Sequence, residues 1–397
     1  MIVERFLGYG RQSIDRADID AVVSVLCSDF LTQGPVVERF EAALAERCGA
    51  RFAVAVSSGT AALHLACLAA GIGPGDIGLT SAMTFAASAN CLLYAGGDAV
   101  FVDIDREALG MSAVELARVL ALTPHAKTII PVHFGGLAHT AADIRKVAQG
   151  RVVIEDAAHS LGGAYPGGKP VGCCAFSDMT IFSFHPVKAI TTGEGGVVLT
   201  NNIEFARVLR MLRSHGIERD AARFIAPDAR EKNGAPKPWL AEQQMLGFNY
   251  RMTDIQAALG LSQLSRLEDF VQRRRAIALR YDDGFRQLPS VRLPQSAVQD
   301  RSRSGLHLYV ALFDFAALKT TRTDFIGRLA ERKVGSQVHY VPVYRHPYYA
   351  SRYGIAGNGF PQAEDYYDRC LSLPLHPDLT DEEVERVVAA VTDAVGA

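Results

Sequence analysis

The sequence lacks the features that mark membrane-spanning, secreted and nucleic-acid-binding proteins. No uncharged apolar run approaches the roughly 18 residues of a membrane span. The seven cysteines form no C-x-x-C pair, a pattern that fits reduced thiols better than a disulfide framework. The net charge of −2 gives no general attraction to nucleic acid or anionic lipid. The opening stretch carries Glu4 and Arg5 where a signal peptide needs apolar residues. We therefore expect a cytoplasmic protein with neither nucleic-acid nor membrane partners.

Dinucleotide and metal motifs are also missing. The glycines of G-I-G-P-G, at 71–75, follow a helix-like segment, whereas the dinucleotide fingerprint requires a strand before them. The eleven histidines show no familiar metal-ligand spacing. We therefore expect no bound metal, and the missing fingerprint argues against a nicotinamide-dependent oxidoreductase.

What the sequence does contain is an alternation of strand-like and helix-like segments over residues 51–201. Short apolar strands such as RFAVAV, AVFVDI and VVIEDAA are separated by helices of ten or so residues. This alternation is typical of an α/β protein with a doubly wound, mostly parallel sheet covered on both faces. The length of 397 residues, with 49% hydrophobic residues, suggests two or three domains, or one large domain with an appendage, and a sizeable core.

The second part of the chain has a different pattern. Residues 218–246 are polar and contain three prolines, which predicts a long, functional loop. From about Phe248 a long helix or bent helix pair is followed by strands (GLHLYVALF, SQVHYVPV) and further helices. We predict a large domain over residues 1–247 and a smaller C-terminal α/β domain over residues 248–397.

Three chemically informative features occur in the first part. The segment Ser57-Ser58-Gly59-Thr60 joins a strand to a helix N-terminus, where backbone N–H groups favour an anion; an ordinary helix cap is the alternative. Asp156 ends an apolar strand, at the edge where open sheets bind ligands. A pyridinium nitrogen could offset the cost of burying this carboxylate, as could a nearby arginine or a turn.

Lys188 is the most informative of the eight lysines. It follows the strand-like TIFSFH and precedes the glycine-rich ITTGEGG. Loss of hydration there lowers a lysine pKa and favours a Schiff-base role, although a lysine can also extend from a strand end to solvent. Phe85 could stack on a flat ring or pack in the core, and His159 could bond a ring oxygen or be structural.

Stretches along nearly the whole chain resemble one family. They include LTQGPVVERFE, SSGTAALHLA, PVHFGG, IEDAAHSLG, FSFHPVKAITTGEGG and FNYRMTDIQAALGLSQL. Their order is similar to that of the pyridoxal phosphate-dependent sugar aminotransferases of fold type I, the DegT/DnrJ/EryC/StrS group. The dehydratases of the same superfamily carry His in place of the Schiff-base Lys, so Lys188 argues against them. Nothing in the sequence favours a relative that has lost catalysis.

The resemblance implies roles for individual residues. Lys188 would hold pyridoxal 5'-phosphate as a Schiff base and carry the proton, Asp156 would pair with the ring nitrogen, and His159 would meet the ring hydroxyl. An Asn in the position of Asn249 reaches the neighbouring subunit's cofactor, which implies a homodimer with shared sites. The implied cofactor-binding residues are Ser58, Gly59, Thr60, Phe85, Asp156, His159, Ser183, Lys188 and Asn249.

A finer similarity concerns the substrate. Three segments are similar to those of one branch of this family: H-P-V-K-A-I-T-T-G-E-G-G, LTQG and QVHYVPVY. Enzymes of that branch aminate C4 of a UDP-4-keto-6-deoxy-N-acetyl-hexosamine with L-glutamate in pseudaminic acid biosynthesis. Sugars of the 4-amino-arabinose or bacillosamine type are the alternative. Pro186, where the family usually has Ala, and the long 218–246 loop depart from the pattern. The implied substrate-binding residues are Tyr9, Asp29, Phe30, Leu31, Thr32, Ser58, His185, His339, Tyr340, Val341 and Pro342.

Overall fold

Seven strands form the central sheet of the computed structural model, which describes residues 5–231, 233–296, 298, 301–354 and 359–396. The strands are β1 (Phe52–Val56), β2 (Ile77–Ser81), β3 (Asp98–Val102), β4 (Thr128–Ile130), β5 (Val152–Asp156), β6 (Met179–Ser183) and β7 (Gly196–Thr200). Their order is β1-β7-β6-β5-β4-β2-β3, and only β7 runs antiparallel to its neighbours. The predicted α/β class with a mostly parallel sheet is confirmed.

Helices cover both faces of this sheet, and several begin at a side chain that caps their first turn. Ser58, Ser112 and Asn202 each accept a hydrogen bond from a backbone N–H of the helix that follows. No helix within the described ranges is both long enough and apolar enough to cross a bilayer. The helices are α1 (Arg16–Leu26), α2 (Pro35–Cys48), α3 (Gly59–Ala69), α4 (Ala87–Tyr94), α5 (Ala113–Leu122), α6 (Ala141–Ala148), α7 (Ile203–Arg213), α8 (Asp254–Ser265) and α9 (Leu267–Phe285).

A short pair of strands lies in the 218–246 region. β8 (Ile217–Glu218) and β9 (Glu242–Gln243) pair antiparallel and bring the ends of the segment together. The Glu242 carboxylate accepts hydrogen bonds from two backbone N–H groups, those of Ile225 and Ala226. The described part of the segment is otherwise mostly irregular, and Lys232 lies outside the described residues.

The last part of the chain forms a second, three-stranded antiparallel sheet with its own core. Its order is β10-β11-β12, and aromatic residues of α9 pack against it together with α13. The elements are β10 (Val291–Arg292), β11 (Tyr309–Phe313), α10 (Arg322–Glu331), α11 (Pro347–Tyr353), α12 (Pro361–Arg369), β12 (Cys370–Leu373) and α13 (Asp381–Val395).

Two details of the C-terminal half differ from the sequence expectation. SQVHYVPV, predicted as a strand, has no regular ladder, because only Gln337 pairs with the second sheet, through Ser372 of β12. β12 itself lies in a stretch for which no strand was expected. The domain division at residue 247 stays a prediction; beyond it, α8 packs against α1 and α2, and α9 contributes to the cores of both parts.

Candidate active site

A cavity of about 500 Å³ opens at the carboxyl ends of β5 and β6, against the N-terminus of α3. Parallel sheets bind ligands at this edge because several strand ends and helix N-termini meet there. Most of the residues predicted for the site line this one cavity. They are Tyr9, Ser58, Gly59, Thr60, Phe85, Asp156, His159, Ser183, His185, Lys188, His339 and Tyr340.

The start of α3 forms a cradle for an anion. Ser58 Oγ accepts a hydrogen bond from Ala61 N at 3.1 Å and fixes the first turn. The first N–H groups of a helix, here those of Gly59 and Thr60, have no partner within the helix and carry the positive end of its dipole. A Cβ at position 59 would lie 2.8 Å from Ser183 Cβ, so only glycine lets α3 approach β6 this closely. The cradle suits a phosphate.

Asp156 lies at the end of β5 with its carboxylate held from two sides. Ser88 Oγ donates to Oδ2 at 2.6 Å, and the backbone N–H of Ala158 donates to Oδ1 at 3.1 Å. Ser88 is also bonded to Thr84, at 2.8 Å. Asp156 is buried and forms no ion pair with any described residue. An oriented, buried carboxylate on a cavity wall favours a cationic ligand group.

Lys188 reaches the same cavity from the loop between β6 and β7. Burial lowers the pKa of Lys188 to about 8, although the nearby charge of Asp156 acts in the opposite direction. Its Nζ lies 3.5 Å from Nε2 of His307. A lysine whose amine becomes neutral near pH 8 is a competent nucleophile and proton carrier.

His159 is held as a neutral imidazole. Its Nδ1 accepts a hydrogen bond from Gly135 N at 3.3 Å, so its proton lies on Nε2, 3.3 Å from the Tyr340 hydroxyl. Burial, together with the charge of Lys188, places the pKa of His159 well below its ordinary value. Nε2 is therefore a hydrogen-bond donor at the cavity surface.

Phe85 and Tyr340 form the outer wall. The Phe85 ring is 59% exposed and lies 5.8 Å from the Tyr340 ring, so Phe85 is a cavity residue and not part of the core. Burial raises the pKa of Tyr340, which keeps its phenol protonated. Such a wall can stack on a flat ring.

Several residues of the cavity were not predicted from the sequence. His307 precedes β11 and is brought to Lys188 from 119 positions along the chain. Thr84 and Glu194 also line the cavity, and Ser88, outside the lining, donates a hydrogen bond to Asp156. Thr84 and Ser88 belong to the same TSAMTFAAS stretch as Phe85 and could have been found there as polar residues beyond a strand end. His307 offered no such signal.

The remaining predicted residues lie outside the cavity of their own chain. The segment from Asp29 to Thr32 runs beside the start of α8, where the Leu31 carbonyl accepts a hydrogen bond from Asp254 N. Phe30 and Asn249 are exposed, and so is Val341 beyond the rim. The roles predicted for these residues stay predictions. They are Asp29, Phe30, Leu31, Thr32, Asn249, Val341 and Pro342.

Comparisons with known proteins find relatives that are similar over nearly the whole chain. The spore coat polysaccharide biosynthesis protein SpsC of Bacillus subtilis (strain 168) is 41% identical over 393 residues, which cover 98% of this chain and 97% of SpsC. Helicobacter pylori PseC, an aminotransferase of pseudaminic acid biosynthesis, superposes with a TM-score of 0.89 at 30% identity, covering 99% of this chain and 100% of PseC. Spr1654 of Streptococcus pneumoniae, solved in a PLP form, superposes with a TM-score of 0.87 at 29% identity, covering 98% and 99% of the two chains.

The fold and the site define a pyridoxal phosphate-dependent enzyme of fold type I. The model of the DegT/DnrJ/EryC1/StrS aminotransferase family matches residues 12–392, and the chain belongs to this family. It is a sugar aminotransferase, and the family resemblance predicted from the sequence is confirmed.

Proposed function

We propose that the protein transfers the amino group of L-glutamate to C4 of a UDP-4-keto-6-deoxy-N-acetyl-hexosamine (UDP-2-acetamido-2,6-dideoxy-β-L-arabino-hex-4-ulose). The product is UDP-4-amino-4,6-dideoxy-N-acetyl-β-L-altrosamine, for pseudaminic acid biosynthesis. The observation that carries the transamination is Lys188 in one cavity with Asp156 and the α3 N-terminus. The choice of sugar is supported by the likeness to PseC over the whole chain.

The donor set fits pyridoxal phosphate. The N–H groups of Gly59 and Thr60, with Ser183 opposite, suit its phosphate, and the buried Asp156 suits a protonated ring nitrogen. When bound, the cofactor supplies an aldehyde that bonds an amine and a ring that stabilises negative charge on the adjacent carbon. Lys188 is the residue that would hold it.

Lys188 also carries the proton. With a pKa of about 8, its amine can take a proton from a carbon atom and return it to another within the same cavity. The hydrogen bonds that Ser88 and Ala158 donate to Asp156 keep that carboxylate in place during the transfer. His159 would donate its Nε2 proton to the ring hydroxyl.

The sugar end of the cavity is formed by uncharged hydrogen-bonding groups. His339 Nδ1 lies 2.8 Å from Ser372 Oγ, and the Tyr9 ring packs edge-on against the His339 ring at 4.8 Å. Burial lowers the pKa of His339 to about 4, so it stays neutral at physiological pH. Neutral imidazole and phenol groups suit the hydroxyl and acetamido groups of a sugar.

A second copy of the chain would complete this site. Lys188 is the only lysine or arginine among the residues that line the cavity in the described part of the chain, whereas a UDP diphosphate carries two negative charges. The exposed surface nearby includes Phe30, Leu31 and Asn249, which the family pattern assigns to the sugar and cofactor sites. A homodimer in which Asn249 enters the partner's cavity would cover this exposed surface and add an uncharged hydrogen-bonding group to the site.

The second candidate is another UDP-4-keto sugar, of the 4-amino-arabinose or bacillosamine type. It draws support from SpsC, whose 41% identity exceeds the 30% of PseC and whose role is in spore coat polysaccharide. The chemistry at Lys188 would be the same. Only the contacts at the sugar end would differ.

Product analysis tests the choice between the sugars. The holoenzyme is incubated with L-glutamate and each of the three UDP-4-keto sugars in competition, and the products are identified by mass spectrometry and by proton NMR couplings at C4. We expect preferential formation of the altrosamine product. Preferential amination of a competitor would replace the sugar assignment, and no amination of any 4-keto sugar would contradict the proposal.

We also propose a cytoplasmic location, where nucleotide sugars are made. The seven cysteines are all free thiols, three of them at least partly exposed, as suits a reducing compartment. Fractionation of the source cells with immunodetection tests this, and recovery from an extracytoplasmic fraction would contradict it.

A further inference from the structure

His307 is a buried residue with no role in the proposed function so far. Its side chain is about 4% exposed, and its Nε2 lies 3.5 Å from Lys188 Nζ. Its ring packs on the ring of His159, with centroids 4.3 Å apart. The backbone N–H of His307 donates to Gly135 O at 2.9 Å, and the Gly135 N–H bonds His159. Gly135 therefore holds the backbone of His307 and the imidazole of His159 beside Lys188.

The surroundings of His307 determine its protonation. Burial and the positive charge of Lys188 place the pKa of His307 well below its ordinary value, so the ring is neutral. Its Nδ1 has no hydrogen-bond partner among the described residues. Titratable or charged groups face this pair from the end of β5 and the turn after it, from the segment before α11 and from α9. They are Asp156, His159, His339, Tyr340 and Arg274.

Only one tautomer of His307 suits a lysine that gains and loses protons. With its proton on Nε2, the ring would direct an N–H at the ammonium form of Lys188, which has no lone pair to accept it. With its proton on Nδ1, the lone pair of Nε2 accepts a hydrogen bond from either the amine or the ammonium form. A hydrogen bond to the ammonium form stabilises that form and raises the lysine pKa above the value that burial alone would give.

We propose that His307 is a positioning residue for Lys188: its Nε2 accepts a hydrogen bond from Nζ whenever the lysine amine is free. The inference rests on the proposed function, in which the free amine of Lys188 carries a proton between two carbon atoms. Lys188 gains one proton and returns one, while His307 keeps its own proton on Nδ1 throughout, so protons balance. His307 directs Nζ and limits how far burial depresses its basicity.

Competitive labelling of the apoprotein tests the proposal. The full chain without cofactor is acetylated with trace acetic anhydride across pH 6.5–10.5, and mass spectrometry gives the titration of each lysine. Exposed Lys146 serves as an internal reference. Replacing His307 by Leu removes the acceptor at similar size, and the Lys188 titration should shift downward by about one unit. His307→Gln, which keeps an acceptor at similar reach, should restore most of the shift.

The matched control is His64→Leu. His64 is also a buried histidine with a lowered pKa, but it lies outside the cavity and contacts Tyr250. The His64→Leu variant should therefore leave the Lys188 titration unchanged. An unchanged or raised Lys188 titration in His307→Leu would overturn the proposal, as would a Gln variant that behaves like Leu.

Nitrogen NMR provides a test that does not depend on a variant that folds. In wild-type apoprotein with ¹⁵N-labelled histidine, His307 should show a protonated Nδ1 and an unprotonated Nε2. A proton on Nε2 would overturn the inference. Because neither cofactor nor sugar is present in these experiments, a failure of sugar turnover would contradict the proposed function without affecting this result.

Discussion

The charge pattern of the cavity is simple at the scale of single residues. The residues that line the cavity include one lysine, Lys188, the two carboxylates of Asp156 and Glu194, and four histidines, three of which are buried. Burial is the main reason that the pKa values of His159, His307 and His339 are low, and the charge of Lys188 adds to it. The histidines therefore act as hydrogen-bonding groups, and the lysine is the group that changes its protonation.

Replacing Lys188 by Ala should reduce transamination by at least about a thousandfold, because the variant loses both the nucleophile and the proton carrier. Turnover of the UDP-4-keto sugar measures the effect, with circular dichroism to show that the fold remains. Lys146→Ala, at an exposed position, should keep wild-type activity. Retained turnover in the Lys188 variant would contradict the assignment.

The lowered pKa of Lys188 predicts how the apoprotein takes up its cofactor. Only the neutral amine attacks an aldehyde, and with a pKa of about 8 this form increases through pH 8 and predominates above it. The rate of pyridoxal phosphate capture should therefore rise about tenfold per unit below pH 8 and level off above it. Stopped-flow absorbance at constant ionic strength measures the profile. A rise that continues to pH 10 would mean that the lysine is not buried as described.

At the scale of elements, the N-terminus of α3 predicts how the phosphate is held. Gly59→Ala places a Cβ 2.8 Å from Ser183 Cβ and partly fills the cradle. The affinity for pyridoxal phosphate should fall about tenfold or more, which corresponds to a loss of binding free energy of about 1.4 kcal/mol per factor of ten. Titration of the apoprotein with pyridoxal phosphate measures it. Gly327→Ala, in the open on α10, is the matched control and should bind normally; equal affinities in the two variants would argue against the cradle.

The end of β5 carries two carboxylates on opposite faces of the sheet. Glu155 is fully buried, and its Oε2 accepts hydrogen bonds from Tyr165, Ser177 and Thr180, while its Oε1 lies 3.3 Å from His133 Nε2. This network anchors the strand that presents Asp156.

Glu155→Ala should destabilise the protein by about 3 kcal/mol, because three buried hydroxyl groups lose their acceptor and His133 loses its close carboxylate contact. Thermal unfolding at pH 7 measures the loss. Glu204→Ala, on the exposed side of α7, should leave the melting temperature almost unchanged. A Glu155 variant as stable as the wild type would show that the network contributes little.

At the scale of the whole molecule, the shared-site dimer predicts complementation between two inactive variants. In a mixed dimer of Lys188→Ala and Asn249→Asp chains, one site has both defects and the other has neither. Co-expression of the two chains should therefore restore about a quarter of wild-type activity, from random pairing in a two-fold dimer. Activity of the co-purified protein, with size-exclusion chromatography to show dimers, measures it.

A matched pair distinguishes sharing from other effects of mixing. Lys188 and Asp156 line the cavity of the same chain, so every site of a Lys188→Ala and Asp156→Ala mixed dimer keeps a defect. This pair should remain inactive. Equal recovery in both mixtures, or none in either, would contradict a site completed by Asn249 of the partner subunit.

The site residues whose position could be predicted from the sequence are those next to strand ends. Ser58, Asp156 and Lys188 each follow a strand-like stretch, and the carboxyl ends of parallel strands meet at one edge of a sheet, so their convergence was predictable. His307 lies before an antiparallel strand in the other half of the chain, and its approach to Lys188 depends on how the two halves pack. The composition of SQVHYVPV predicts a strand, but in the folded chain this stretch pairs with the second sheet only at Gln337.

The sequence by itself determined the α/β class and the order of elements in the first half, and it singled out Ser58, Gly59, Thr60, Asp156 and Lys188 as candidate site residues. These follow from hydrophobic periodicity and from short segments in which neighbouring residues share one element. The tertiary structure alone decided that His307 contacts Lys188, that Ser88 fixes Asp156 and that Asn249 lies outside its own cavity. Such contacts join residues far apart in the chain, and side-chain packing between elements, which no local pattern encodes, sets their distances.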